Sequence, residues 1–172
     1  MKLELALEII ANEIMPALKP HCERIEVAGS VSRRRLECGD LEIVCIAKQT
    51  APIDLFGTET MPVQGFIDAV NRWKKVRGEP TGKNTLRILP YDGAVLDLFI
   101  ARPENFGYIK AVRVGSARFS YEVLAKAWCR AGYNGEDGML VRRSDKVAIP
   151  LREERELFEL IGVQWKEPWE RE

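Results

Sequence analysis

The sequence has little of the chemistry that zinc and redox sites use. Its only histidine is His21, and none of its four cysteines lies in a C-x-x-C pair. This composition disfavours a zinc site, and we expect the cysteines to be free thiols in a reducing compartment. No apolar run approaches the roughly 20 residues that span a bilayer, so we expect no membrane association and a cytoplasmic location.

The sequence also has no excess charge of either sign. Its 26 basic residues balance its 26 acidic residues. This balance argues against a protein that covers nucleic acid non-specifically along its length. The charge is nevertheless uneven, because the segment 72–87 contains six basic residues and one acid, Glu79. This basic segment indicates either an ordinary solvated face or a local surface for a polyanion.

The apolar spacing predicts a mixed set of helices and strands. Apolar residues at 3, 7, 10, 14 and 18 predict a helix that ends before Pro20. We predict strands over 24–28, 41–47, 75–78, 85–89 and 95–100, a loop over 48–60 and a helix over 63–73. After a linker at 103–107, we predict helices over 119–131 and 153–161, with a turn at 133–138 and short strands near 139–141 and 147–149. This order is typical of an α+β protein.

Three acids lie where strand patterns favour apolar residues. Asp40 and Glu42 are two residues apart at the start of LEIVCIA and therefore point to one face, and Asp97 lies inside AVLDLFI. Each acid alone could be a turn residue, a solvent-facing position or an arginine partner. Together, buried carboxylates are costly unless a cation neutralises them, and Mg²⁺ prefers carboxylate oxygens. The three acids therefore predict a site for two magnesium ions.

A glycine–serine turn precedes these acids. Gly29 and Ser30 directly follow the strand predicted over 24–28, and three arginines follow at 33–35. Glycine allows close approach of a ligand, and hydroxyl and guanidinium groups are natural phosphate partners. We therefore expect this turn to bring phosphates to the acids.

The residues AGSVSRRRLECGDLEIV, AVLDLF and VGSARFSYEVLAKAWCRAGY, together with the tail PLREERELFELIGVQWKEPWERE, resemble the family X DNA polymerases in their order. This family is part of the polymerase beta nucleotidyltransferase superfamily. The resemblance implies a compact form without the amino-terminal lyase domain. Its expected architecture is a nucleotidyltransferase palm over 1–102, with a mixed sheet and flanking helices, and a small α+β nucleotide- and DNA-binding subdomain over 103–172, resembling a thumb or fingers.

The resemblance implies a DNA polymerase that adds nucleotides to a primer 3′-hydroxyl and releases pyrophosphate. It implies Mg²⁺ ligands at Asp40, Glu42 and Asp97, with Mn²⁺ as an alternative ion. The expected nucleotide-binding residues are Gly29, Ser30, Arg33, Gly39, Gly115 and Ser116. The expected contacts to primer-template or gapped DNA are Lys74, Lys75, Arg77, Lys83, Arg87, Arg113 and Arg118. We expect a monomer in the cytoplasm, of the host cell if the source is viral or phage.

Two departures from the family pattern affect these expectations. Glu42 stands where aspartate is usual, so its extra methylene requires a shifted strand or altered metal geometry. Val112 and Arg113 replace an aromatic pair near the sugar, which leaves the choice between ribo- and deoxyribonucleotides open. Two alternatives also stay open: transfer to RNA, protein or a small alcohol, and a DNA-binding relative with impaired catalysis.

Overall fold

The computed structural model describes residues 1–51 and 60–172, which form two β-sheets with flanking helices. The helices are α1 (Leu3–Ile9), α2 (Met15–Leu18), α3 (Gly29–Ser32), α4 (Gln64–Asn71), α5 (Phe106–Val114), α6 (Lys126–Arg130) and α7 (Glu154–Leu160). The strands are β1 (Cys22–Val27), β2 (Leu41–Ala47), β3 (Lys74–Arg77), β4 (Asn84–Ile88), β5 (Val95–Ile100), β6 (Tyr133–Glu136), β7 (Met139–Arg142) and β8 (Ala148–Ile149). The predicted α+β class is confirmed. Most of the predicted 48–60 loop falls on 52–59, outside the described residues.

The first helical run follows the predicted range. A π-helical segment, Ile10–Ile14, joins α1 to α2, and Pro16 lies in the first turn of α2. Proline has no N–H to donate to the turn before it, and a wider π turn is one way in which a helix accommodates this loss. The run therefore continues to Leu18 and buries Ile14 and Leu18 against the sheet.

The larger sheet has the strand order β1-β2-β5-β4-β3. Strands β2 and β5 pair in parallel, and the other neighbours pair antiparallel, so this sheet is mixed. Strands β2 and β5 occupy the ranges predicted for them, because both are runs of branched and aromatic residues bounded by turns. They lie side by side in the middle of the sheet.

The two faces of this sheet have different coverings. Ile43, Leu96 and Leu98 point to one face, where they pack against α1, α2 and α4. Val44 and Phe99 point to the opposite face, where α5 covers them. We call this second face the α5 face. Because side chains alternate along a strand, residues two apart share a face. Glu42 and Asp97, two residues before Val44 and Phe99, therefore also belong to the α5 face.

The predicted linker at 103–107 is wrong at its C-terminal end, because α5 begins at Phe106, and we predicted no helix over 106–114. Gly107, the last residue of the predicted linker, lies inside α5 against the start of α7. A Cβ at this position would lie 2.3 Å from the carbonyl carbon of Glu153. Gly107 therefore permits close packing between two helices.

The C-terminal part has its own sheet, β6-β7-β8, and its own core of buried residues, which includes Leu124, Leu140 and Phe158. Strand β6 replaces part of the predicted turn at 133–138. Helix α5 contributes Ala111 to this core and Val114 to the core of the α5 face. Because α5 belongs to both cores, the boundary near residue 102 stays a prediction.

Ion pairs connect the two parts. Arg24 on β1 donates to both carboxylate oxygens of Glu153, at 2.6 and 2.8 Å, and its guanidinium lies 4.0 Å from the ring centre of Phe106. The Nζ of Lys110 on α5 donates to Glu26 on β1 at 2.7 Å. Within 1–51 and 60–172, no helix is long and apolar enough to cross a membrane.

Candidate active site

The acids at Glu42 and Asp97 are direct neighbours on the α5 face. Strands β2 and β5 pair in parallel with Glu42 opposite Asp97. Asp40 lies two residues before Glu42, immediately before β2 begins. The structure therefore brings the three acids to one end of the parallel strand pair, on the face where the sequence argument requires them.

The Glu42 side chain lies on a strand that pairs regularly with β5. The pairing of β2 with β5 is continuous from Leu41–Leu96 to Cys45–Ile100. The extra methylene is taken up by contact with the glycine–serine turn, since a Cβ on Gly29 would lie 2.0 Å from Oε2 of Glu42. Whether the extra methylene shifts the strand or alters the metal geometry stays a prediction.

The acids influence one another electrostatically. The pKa of Glu42 is raised to about 7, mainly by burial and also by the charges of Asp40 and Asp97, while Arg113 and Arg33 oppose this rise. Burial also raises the pKa of Asp97, and the charge of Arg77 opposes the rise. Like charges that raise each other's pKa mark a site where a cation would be stabilising.

The donor set at the acids fits a hard divalent cation. Oδ1 of Asp97 is buried and has no hydrogen-bond partner among the described residues, while Oδ2 lies 3.5 Å from Nη2 of Arg77. Carboxylate oxygens of this kind suit Mg²⁺ and Mn²⁺. Within the described ranges, however, no three acidic, histidine or cysteine side chains already converge as a coordination sphere. Cation binding by all three acids would therefore require their side chains to move closer together.

Gly29 and Ser30 lie just after β1, at the start of a short helix. Gly29 begins α3 with a φ of +61°, a left-handed conformation that favours glycine. The next residue, Ser30, has a buried hydroxyl that finds no hydrogen-bond partner in the part of the chain that the structure describes. An unsatisfied buried hydroxyl is costly, and a phosphate oxygen at this position would satisfy it.

The three arginines after the turn contact the C-terminal part of the chain. Nη1 of Arg33 donates to the carbonyl oxygen of Val114 at 2.7 Å, and its Nε lies 3.4 Å from Oε1 of Glu172. Arg35 lies 3.6 Å from the same oxygen of Glu172. A phosphate at Arg33 would therefore compete with Glu172 for this guanidinium.

Gly115 and Ser116, which we expected to bind the nucleotide, make contacts within the chain. Oγ of Ser116 accepts a hydrogen bond from the backbone N–H of Phe119 at 3.1 Å, and the N–H of Ser116 donates to the carbonyl of Arg171 at 2.9 Å. A Cβ on Gly115 would lie 2.8 Å from both Phe119 and Ser120. Gly39 is exposed, and among the described residues nothing would contact a Cβ there. Nucleotide contacts at these positions stay predictions.

Part of the predicted DNA-binding set forms an exposed basic edge. Lys74, Lys75 and Arg77 are exposed on β3, the edge strand of the larger sheet. Lys75 is ion-paired with Glu79, and Lys83 with Asp137. Arg77 has a second contact that the sequence did not suggest, because it approaches Asp97.

Arg87 does not belong to the basic edge, and its predicted DNA contact is wrong. Its side chain is fully buried on the face opposite the acids, with Nη2 3.3 Å from the side-chain oxygen of Asn71. The alternation along β4 explains the difference: Leu86 pairs with Asp97, so Arg87 points the other way.

Arg113 and Arg118 lie apart from the basic edge. Arg118 lines an open hollow together with Phe119 and Glu172. Arg113 lies at the end of α5, beside the acids, with its guanidinium carbon 4.0 Å from the ring centre of Phe99. Because α5 was not predicted, sequence reasoning missed this placement of Arg113.

The raised pKa of Glu42 predicts a pH-dependent stability in the metal-free protein. The unfolded chain releases this proton near the ordinary value of 4.5, and the folded chain releases it near 7. The folded state therefore binds more protons between these values, and its stability falls as the pH rises. We expect the melting temperature in EDTA to fall between about pH 5 and pH 8, by an amount equivalent to about 1–2 kcal/mol after allowance for solvent screening.

The Glu42→Gln variant should flatten this pH profile, because its amide does not titrate. Glu8→Gln, at an exposed position of α1, removes the same charge far from β2 and should keep the wild-type profile. Thermal melts in EDTA across this pH range give the comparison. An unchanged pH slope in Glu42→Gln would show that Glu42 is not the responsible group.

The chain has an α+β fold with a mixed five-stranded sheet that carries acids beside a glycine–serine turn, which is consistent with a polymerase beta-like nucleotidyltransferase fold. The family model described as DNA polymerase beta thumb matches residues 113–172. This match supports a relationship to the family X polymerases. It begins at the end of α5, so the three acids lie outside it. No curated protein matches the chain.

Proposed function

We propose that the chain is a DNA polymerase-type nucleotidyltransferase, which joins a nucleotide from a triphosphate to a primer 3′-hydroxyl and releases pyrophosphate. The observation that carries this proposal is the pairing of Glu42 with Asp97 on adjacent parallel strands, beside Gly29 and Ser30. The match of residues 113–172 to a polymerase thumb supports DNA as the acceptor.

In this proposal, Asp40, Glu42 and Asp97 would hold two Mg²⁺ or Mn²⁺ ions. Two bound ions activate an attacking hydroxyl and stabilise a leaving pyrophosphate. Phosphoryl transfer needs little more from a protein than position and charge, which is consistent with a chain that has a single histidine.

The glycine–serine turn binds the triphosphate in this proposal. The buried hydroxyl of Ser30 donates to a phosphate oxygen, which removes its unsatisfied state. Arg33 supplies a charged hydrogen bond to the same phosphates and releases Glu172 when it does so. Its bond to the carbonyl of Val114 holds the guanidinium between the two parts of the chain.

The DNA lies along the basic edge of the larger sheet. Lys74 and Arg77 are exposed on β3, and an edge strand that carries basic side chains can follow a phosphate backbone. Arg77 also approaches Asp97, so this edge continues to the acids. The 3′ end of a primer bound along β3 would therefore reach the proposed ions.

Transfer to labelled DNA tests this function directly. The full chain is incubated with gapped, recessed or single-stranded DNA and each nucleoside triphosphate, in Mg²⁺, Mn²⁺ or EDTA. A parallel panel offers RNA, protein and a small alcohol as acceptors. We expect metal-dependent extension of the DNA primer by single nucleotides.

The other outcomes have distinct meanings. Transfer to an acceptor in the panel without DNA extension would keep the transferase chemistry and overturn DNA as the substrate. DNA binding without any transfer, and without metal-dependent binding of a triphosphate, would overturn the proposed activity and favour a relative with impaired catalysis.

A further inference from the structure

Arg113 occupies an unusual place for an exposed arginine. It lies in the last turn of α5, and its guanidinium carbon is 4.0 Å from the centre of the Phe99 ring. Phe99 follows Asp97 by two residues on β5 and shares its face, and Val44 stands opposite Phe99 as Glu42 stands opposite Asp97. The guanidinium therefore lies over Phe99, the next residue after Asp97 that points to the α5 face.

The charge of Arg113 reaches both central acids. Arg113 lowers the pKa of Glu42 and also that of Asp97. Arg33 acts on Glu42 and Arg77 acts on Asp97, so Arg113 is a cation that these two acids share.

Arg113 acts on the acids without forming an ion pair with them. In the ranges 1–51 and 60–172, it has no carboxylate partner within 4.0 Å. Its contact with Phe99 is a cation–π interaction, with the guanidinium carbon 4.0 Å from the ring centre. Such a group offsets repulsion between carboxylates and leaves their oxygens open to another cation.

We propose that Arg113 is a positioning residue that acts as an internal counter-cation of the acids, and thereby lowers the affinity for divalent ions until a triphosphate is bound. This inference rests on the proposed function. Arg113 adds its positive charge to those of Arg33 and Arg77 around the three carboxylates, which leaves little net negative charge to attract divalent ions. The phosphates of a bound nucleotide supply further negative charge and would favour the ions.

Removal of the charge at position 113 should therefore strengthen ion binding by the nucleotide-free protein. Arg113→Met keeps an apolar stem over Phe99 and removes the guanidinium. We expect it to bind Mn²⁺ roughly three- to tenfold more tightly than wild type, because a nearby cation no longer opposes the ion. Electron paramagnetic resonance of free Mn²⁺, at fixed pH and ionic strength, measures this affinity.

Two further variants serve as controls. Arg130→Met makes the same change at an exposed position of α6 and should bind Mn²⁺ like wild type. Arg113→Lys keeps the charge and should stay within about twofold of wild type, since the effect arises from charge. In EDTA, Arg113→Met should melt at a lower temperature than Arg130→Met, and added Mn²⁺ should reverse this difference.

The outcomes separate this inference from the function on which it rests. Equal Mn²⁺ affinity in wild type, Arg113→Met and Arg130→Met would overturn the role of Arg113 and leave the metal site intact. No Mn²⁺ binding by any of the three would overturn the metal site and the proposed function together. If Arg113→Met fails to fold, the comparison is made with Arg113→Gln, and equal affinity in that variant would overturn the proposal.

Discussion

The Asp97→Asn protein is expected to lose nucleotide transfer by roughly a thousandfold or more while it keeps its fold. Asparagine has the shape of aspartate but carries no charge, so it cannot hold a divalent ion as the carboxylate does. Asp97 is only 9% exposed, and its Oδ1 has no hydrogen-bond partner among the described residues. Because Asp97 and its neighbouring acids repel one another, the variant should melt in EDTA at the wild-type temperature or above it.

Single-nucleotide extension of a DNA primer measures this loss. Asp92→Asn is the matched control, because Asp92 is an exposed residue in the turn before β5, and asparagine tolerates its left-handed conformation. The control should extend the primer at the wild-type rate. Wild-type extension by Asp97→Asn itself would show that Asp97 does not hold a catalytic ion, and the metal mechanism would then be wrong.

A Gly29→Ala substitution should have the second largest effect, because it damages the backbone and the acids together. Gly29 has a φ of +61°, which costs an alanine roughly 1–2 kcal/mol. The new methyl group would also lie 2.0 Å from Oε2 and 3.0 Å from Cβ of Glu42. Glu42 must move, so we expect at least a hundredfold loss of transfer together with a lower melting temperature.

Gly162→Ala separates these two effects. Gly162 has a φ of +66°, and no described atom lies within 4 Å of a Cβ at this position. This control should lose a similar amount of stability and keep its transfer activity. The Gly29→Ala/Glu42→Asp double variant removes the atoms nearest the new methyl group and should recover part of the activity. Equal transfer rates in Gly29→Ala and Gly162→Ala would show that contact between Gly29 and Glu42 is unimportant.

The central strands could be predicted closely, because their local signals agree with their tertiary environment. Strand β5 is apolar apart from Asp97, is bounded by a turn and is buried on both faces. The same pattern identified the acids as candidate site residues, since a carboxylate is unusual in a strand that is otherwise apolar. The pairing of Glu42 with Asp97 does not follow from this pattern, because it depends on which strand lies beside β2 and in which direction.

Helix α5 and strand β6 were not predicted, because their local signals disagree with their tertiary environment. Gly107 in α5, and Asn134 and Gly135 in β6, are residues that local rules assign to turns. In the structure, Gly107 packs against Glu153, and a Cβ on Gly135 would lie 2.3 Å from the hydroxyl oxygen of Tyr108. These glycines provide close contact between distant segments, which a local pattern does not reveal. Apolar residues at 106, 109 and 114 were an available helical signal.

The basic residues show most clearly how tertiary contacts assign a role. Arg77, Arg87 and Arg113 were assigned to one DNA surface from their charge and the family resemblance. Strand order places Arg77 beside Asp97, strand alternation buries Arg87 on the opposite face, and α5 carries Arg113 to Phe99. Charge is a property of the residue, but its partners depend on the fold.

The sequence by itself determined the α+β class, the central strands, the acids and the glycine–serine turn, because each depends on the chemistry of a few adjacent residues. The tertiary structure decided which carboxylates are neighbours, which arginines face them and why position 29 must be glycine. These features depend on contacts such as that between Gly29 and Glu42, which form only when strands and helices distant in the chain pack together.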